Sequence, residues 1–372
     1  VGKINNSIIV TGGAGFIGVN FVHHVLAKKF ADRVINLDAL TYAGSVASLA
    51  SLQGNPNHIF VRGDIGDPSI ISESLNQHRP SAIVNFAAET HVDRSIETPD
   101  RFIQTNIVGT FTLLEGALSY WRELKGEEKD RFQFLHISTD EVFGSLAEDG
   151  AFVEDSKYAP NSPYAASKAS SDHLVRAYHQ TYGLPTLTVN TCNNYGPYQH
   201  PEKLIPLMLL NAIEGKPLPI YGDGSHVRDW LYVEDHCHAL CVVLEKGHPG
   251  ELYNVGGRAE KSNLEVVNAV CEALEQEIPA QTNPGFARSE FQKYSDLITF
   301  VKDRPGHDQR YAIDPTKIES ELGWQALETF ESGLQKTIQW YLNNAAWCDL
   351  VRGQEHEEWI KLNYDYRLGS RS

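Results

Sequence analysis

The sequence predicts an α/β protein built on a doubly wound parallel sheet, with a smaller C-terminal lobe. Three observations predict it. Short β-branched or aromatic runs alternate with helical patterns through the first half. A glycine-rich turn joins the first run to the first helical pattern. After Asn190 the texture changes to short helical patterns punctuated by Pro and Gly.

The strand candidates, in order, are "SIIVT" (7–11), "RVINLD" (33–38), "HIFVRGD" (58–64), "AIVNFAA" (82–88), "FQFLHIS" (132–138) and "TLTVN" (186–190). Within "RFIQTNIVGTFTLLEGAL", the residues Ile103, Ile107, Phe111, Leu114 and Leu118 recur at helical spacing and predict one apolar helix face. Residues 1–190 read as the first domain and 191–372 as the second lobe, with about 230–257 returning to the first. Ligands of doubly wound sheets lie beyond the carboxyl ends of the strands, so a lobe there would close a cleft.

Composition narrows the function classes. The chain has 372 residues, 41% hydrophobic and 22% charged, with a net charge of −16. So acidic a protein is ill suited to nucleic acid or an anionic membrane surface. No apolar run approaches the ~18 residues of a membrane span, and no signal peptide is read at the N-terminus. The cysteines, five and scattered, do not form a disulfide framework, which predicts a cytoplasmic protein.

"IIVTGGAGFIG" places a glycine turn after a strand and before a helix. Gly13, Gly15 and Gly18 fit G-x-G-x-x-G, and Gly12, Gly15 and Gly18 fit a G-x-x-G-x-x-G variant. Such a turn admits a pyrophosphate to the helix N-terminus, where Phe16 and Ile17 lie. Asp38 ends the next strand, where a carboxylate binds ribose hydroxyls and repels a 2′-phosphate. This predicts a Rossmann-type site for NAD rather than NADP. Asp64 and Ile65 are expected near the adenine, and Ala87 in "FAAE" allows close cofactor approach.

"SPYAASK" sets Tyr164 and Lys168 four apart on one helix face. An ammonium beside a phenol is expected to lower the phenol's pKa and make it a base for an alcohol proton. "STDEVFG" adds Thr139, Asp140 and Glu141 at a strand end. Two adjacent carboxylates disfavour each other's ionisation, so one can be an acid while the other is a base. Which one holds the proton is left open by these residues. "DHCHALC" offers His236, Cys237, His238 and Cys241, but "ALCVVL" reads as a core helix, and no metal is expected.

With "NFAAETHVDRSI", "NNYGPYQHPEKLIPL", "YGDGSHVRDWLYVEDH", "YNVGG" and "FVKDRPGHDQRYAID", these motifs resemble the dTDP-glucose 4,6-dehydratases. That family lies among the extended short-chain dehydrogenases acting on nucleotide sugars. The resemblance runs from about residue 7 to about 340. It implies conversion of dTDP-glucose to dTDP-4-keto-6-deoxyglucose and water, as a homodimer joined through helices near 100–124 and 163–183. It implies Tyr164 as oxidising base with Lys168 and Thr139, Glu141 taking the C5 proton and Asp140 protonating the 6-oxygen. It further implies Arg228 and Asn263 on the diphosphate, Arg304, His307 and Tyr311 near the nucleotide, and contacts from Asn194 and Lys203.

Three departures stand out: Phe143 where Tyr is usual, Thr90 where Ser is common, and "VNTCNNYGP" in place of "TNCSNNYGP". Rival readings are a UDP-sugar 4-epimerase, which shares Tyr164 and Lys168 but needs no acid pair, and a UDP- or GDP-sugar dehydratase. A non-catalytic NAD-binding protein is the rival from another class.

Overall fold

The computed structural model describes residues 4–286, 291–303 and 306–353. The chain begins β1 (Ile4–Thr11), α1 (Phe16–Lys28), β2 (Ala31–Asp38), β3 (His58–Arg62), α2 (Pro68–His78) and β4 (Ala82–Asn85). Helices α3 (Val92–Glu97), α4 (Pro99–Phe102), α5 (Thr110–Glu123) and α6 (Gly126–Arg131) precede β5 (Gln133–Thr139). Helix α7 (Pro163–Tyr182) leads into β6 (Thr186–Thr191) and β7 (Asn193–Tyr195). Next come α8 (Leu204–Ile213), β8 (Leu218–Tyr221), β9 (Val227–Tyr232), α9 (Val233–Lys246) and β10 (Leu252–Val255). Then follow β11 (Glu260–Ser262), α10 (Asn263–Glu277), β12 (Ile298–Val301), α11 (Phe330–Asn343) and α12 (Ala345–Val351).

Seven strands form one sheet in the order β10-β6-β5-β4-β1-β2-β3, and every adjacent pair is parallel. The order reverses between β1 and β4, which opens a crevice at their carboxyl ends. Alternation along β1 drives the layering. Ile8 and Val10 face a core shared with Val19, Val22, Leu240 and Val243, from α1 and α9. Ile9 faces the opposite core, with Leu113, Leu114, Ala117 and Val175 from α5 and α7. Each such side chain contributes roughly 1.5–3 kcal/mol by leaving water. Helix α9 carries Cys237 and Cys241 into the first core.

The second core joins Tyr195, Leu209, Trp230, Val266, Ile338 and Tyr341. Around it lie a three-stranded sheet, β11-β9-β7, and the pair β12-β8. Asn193, Asn194 and the 199–203 loop line one cavity with the carboxyl ends of β5 and β6.

The apolar face expected across residues 103–118 is corrected by the structure. Ile103–Gly109 is wound as a π-helix between α4 and α5, and its wider turn resets the helical phase. Leu114 and Leu118 are buried, whereas Ile103 is 49% and Phe111 45% exposed. The buried positions of the first part are Phe102, Asn106 and Gly109 instead.

Candidate active site

Two adjoining cavities run along the crevice and share Gly15, Ala43, Phe86 and Ala88 as walls. The first is lined by Gly12, Asp38, Asp64, Ile65 and Ala87. The second is lined by Phe16, Ile17, Gly18, Thr139, Asp140, Glu141, Tyr164, Lys168, Asn194 and Lys203. The expected cofactor residues and the expected catalytic residues therefore lie along one continuous groove.

The groove fits a dinucleotide. Gly12 has φ +67°, and a Cβ there would come within 2.7 Å of the Ala87 amide nitrogen, so only glycine allows this narrow approach of β1 to β4. A Cβ at Gly18 would lie 2.2 Å from the Gly12 carbonyl oxygen. Gly15 caps α1 with no side-chain bond, which leaves first-turn amides for a pyrophosphate. Asp38 is buried at the end of β2, accepting from Ala14 N at 2.8 Å and Leu40 N at 2.7 Å. Burial pushes its pKa up and these two bonds work against the rise. Asp64 shapes its own turn by accepting from Gly66 N, while Ile65 is buried in the core beneath it.

Helix α7 delivers the Tyr–Lys pair. Ser162 caps it by accepting from Ala165 N, and Pro163 occupies the first turn. Both side chains are buried. The expected lowering of the Tyr164 pKa is corrected here. Lys168 Nζ donates to the Ile137 carbonyl at 2.7 Å, and Tyr164 is instead raised, by burial and then by Glu141. The Thr139 hydroxyl works in the lowering direction. Burial brings Lys168 itself down to about 8.

The acid pair is asymmetric. Thr139 ends β5, caps the 3-10 turn 140–143 by accepting from Glu141 N, and donates to Asp140 Oδ1 at 3.2 Å. Asp140 is buried, and its Oδ2 has no partner among the described residues. Burial, then Glu141 and Asp229, push it well above the usual carboxylate range. Glu141 is only half-buried. Asn194 Oδ1 is also buried without a partner among the described residues, while its amide donates to Thr191 Oγ1 and the Cys192 carbonyl. Unpaired buried polar atoms in a cleft are what a polar ligand would satisfy.

Of the expected nucleotide residues, Arg228, Asn263, His307 and Tyr311 lie on the C-terminal side of Asn190 and do not line these two cavities. Arg228 is buried, donates to the Val227 carbonyl at 2.7 Å and the Asp308 carbonyl at 2.9 Å, and lies 4.3 Å over the Tyr311 ring. The Tyr311 hydroxyl donates to the Asp308 carboxylate. Asn263 opens α10. Arg304 lies outside the described residues. Lys203 Nζ reaches the Thr90 carbonyl at 3.5 Å.

His307 joins His226 and Asp303, the one group of three among the described residues with possible metal donors within 4.8 Å. The two imidazoles stack at 3.7 Å with planes 13° apart. A ring nitrogen's lone pair lies in its ring plane, so one ion cannot lie in both. The Asp303 carboxylate bridges the pair instead, 2.7 Å from His307 Nδ1 and 3.3 Å from His226 Nε2.

Comparison with known proteins narrows this arrangement. A family model described as GDP-mannose 4,6 dehydratase matches residues 9–337. A dTDP-glucose 4,6-dehydratase of Xanthomonas campestris pv. campestris is 57% identical over 343 residues, covering 92% of this chain and 95% of the relative. One from Salmonella typhimurium is 52% identical over 369 residues, covering 97% and 99%. The chain belongs to the dTDP-glucose 4,6-dehydratase family. The structure of a family member from Streptomyces venezuelae, solved with NAD bound, superposes with a TM-score of 0.82 at 44% identity, covering 93% of this chain and 99% of that one. A UDP-glucose 4-epimerase of Thermotoga maritima shares the architecture at a TM-score of 0.77 but only 27% identity, covering 91% and 99%.

The departures from the dTDP-glucose 4,6-dehydratase pattern have structural settings. Phe143 is buried, stacked on Phe152 at 5.0 Å and edge-on to Tyr158 at 5.2 Å, a dry place with no need of a hydroxyl. Thr90 lines the second cavity. Cys192 is buried in the same wall, between Asp140 and Asp229.

Sequence reasoning missed a buried polar relay behind Lys168. Thr11 Oγ1 donates to Asn85 Oδ1 at 2.6 Å, and Asn85 Nδ2 is 3.1 Å from His136 Nδ1. His136 Nε2 lies 3.4 Å from Asp172 Oδ1 and 3.5 Å from Lys168 Nζ. Asp172 Oδ2 accepts from Ser138 and Tyr158. The one local signal was the run of polar residues inside otherwise apolar strands.

Proposed function

We propose that the protein is an NAD-dependent hydro-lyase that converts dTDP-glucose to dTDP-4-keto-6-deoxyglucose and water. The observation that carries this reading is the buried Asp140 beside the half-buried Glu141, in one cavity with Tyr164. An epimerase needs the tyrosine but not this acid pair.

The chemistry requires three proton-handling groups. The C5 hydrogen of a hexose is not acidic until C4 is a ketone. Tyr164 takes the proton of the 4-hydroxyl as the phenolate, a form the Thr139 hydroxyl favours against burial, with Lys168 supplying positive charge to the pocket. Bound NAD supplies the hydride acceptor at C4 and later the donor to C6. Glu141, nearer solvent, takes the C5 proton, which the new ketone has made acidic, and returns a proton to C5 as hydride reaches C6. Asp140 enters as the neutral acid and gives its proton to the 6-oxygen as water leaves. Asn194 and Lys203 hold the sugar side. Arg228, Asn263, Arg304, His307 and Tyr311 form the nucleotide and diphosphate end, where guanidinium geometry matches phosphate oxygens.

The exposed Ile103 and Phe111, with Val108 beside them, form an apolar surface that supports a homodimer through α5 and α7. All five cysteines are unpaired and buried, which supports a reducing, cytoplasmic setting. Incubation with dTDP-, UDP- and GDP-glucose tests the substrate: a 4-keto sugar should form from the dTDP sugar in preference to the others. Formation of a C4 epimer without a keto product would contradict dehydration.

A further inference from the structure

Strand register aligns Asp140 with two other buried residues. Thr139 pairs with Thr191 across β5 and β6, so Asp140 and Cys192 follow on neighbouring strand ends. Asn193 pairs with Trp230 across β7 and β9, which sets Asp229 beside Cys192 on its other side. Cys192 thus stands on the strand end between those of the two carboxyl groups.

The two carboxyls are solvated differently by the protein. Asp229 is 1% exposed, with Oδ1 accepting from Ala259 N at 2.7 Å and Oδ2 from Gly257 N at 3.0 Å. Both of its oxygens thus have a backbone donor. Asp140 has the Thr139 hydroxyl on Oδ1 and an unpaired Oδ2. A donor on each oxygen favours a carboxylate, whereas a buried oxygen without one favours the acid. Burial pushes both groups up, but the donors oppose it at Asp229, so the proton resides on Asp140.

We infer that Asp229 is a positioning residue for water loss: its fixed negative charge, held behind Cys192, keeps Asp140 in the acid form that protonates the leaving 6-oxygen. This rests on the dehydratase reading above. The other charges facing Asp140 are Glu141, which acts in the same direction, and Arg228, which opposes both. Cys192 is pushed well up, first by burial and then by Asp229 and Asp140, and remains neutral between them. Asp229 touches neither cavity wall, which separates its role from that of substrate-binding residues.

The test is the pH profile of kcat for keto-sugar formation by the NAD-loaded enzyme. In Asp229→Asn the alkaline limb should move down by about one pH unit, with KM and C4 oxidation unchanged. A folded Asp229→Asn enzyme with an unmoved limb overturns the inference. An asparagine cannot accept from both Gly257 and Ala259 with the same strength, so a second measurement covers a misfolded variant. Infrared difference spectra of wild type against Asp140→Asn should show a protonated carboxyl band at neutral pH that belongs to Asp140. Its absence overturns the inference without any turnover. Failure of the dehydratase reading looks different: the wild type itself would form no keto sugar at any pH.

Discussion

Asp140 is 2% exposed with an unpaired carboxyl oxygen, while Glu141, the next residue, is half-buried on the cleft wall. Adjacent carboxyls are thereby given different environments by one 3-10 turn. Asp140→Asn should slow water loss by roughly 10²–10⁴-fold while C4 oxidation continues. Rapid-mixing absorbance should then show reduced nicotinamide building up on the enzyme. Glu141→Gln should instead suppress exchange of the C5 proton with deuterated water. Full activity in both variants would contradict dehydration.

Burial sets an acid limit on stability through His136. Burial first, and the charge of Lys168 second, bring its pKa down to about 4, against the raising effect of Asp172. A depressed imidazole contributes stability above about pH 6.5 that is lost as pH falls through about 4. The loss should reach about 3 kcal/mol at the acid end. His136→Gln should flatten the fall of Tm across that window, and an unchanged acid limb would contradict a neutral buried imidazole.

Gly12→Ala should cost both stability and cofactor. Its φ of +67° disfavours alanine, and the added Cβ would press on the Ala87 backbone at 2.7 Å. Strain of this kind costs of order 1–3 kcal/mol. The variant should purify with much less bound NAD than wild type, read by absorbance after denaturation. Normal NAD content would contradict a tight β1–β4 crevice as the cofactor site.

The exposed apolar surface yields a prediction on assembly. Phe111→Glu puts a charge at a side chain that is 45% exposed and outside both cavities. Light scattering should give a dimer for the wild type and a monomer for the variant, with the fold intact by circular dichroism. A dimer of unchanged mass would place the interface elsewhere.

Much of the site was legible because its signals are local. The glycine turn, Asp38, "TDE" and the Tyr–Lys spacing each place a chemical requirement within a few residues of a strand or helix end. The phase of residues 103–118 was misread because a π-turn adds a residue that an α-helical count cannot anticipate. The Tyr164 pKa was misread because spacing shows that Lys168 shares its face, but not that the phenol would be buried and face Glu141. The relay from Thr11 to Asp172 could not be joined up from its polar residues alone, since β1, β4, β5 and α7 meet only in the folded sheet. The role of Arg228 as a cation was readable, and its seat over Tyr311 was not.

The central claim is that hydride leaves C4 and returns to C6 of the same sugar. The most direct measurement uses dTDP-glucose carrying deuterium at C4, with the keto-sugar product read by mass spectrometry and NMR. The label should appear at C6 of dTDP-4-keto-6-deoxyglucose, with no net accumulation of NADH. Label retained at C4 in an epimer, or NADH formed in step with substrate lost, would contradict it.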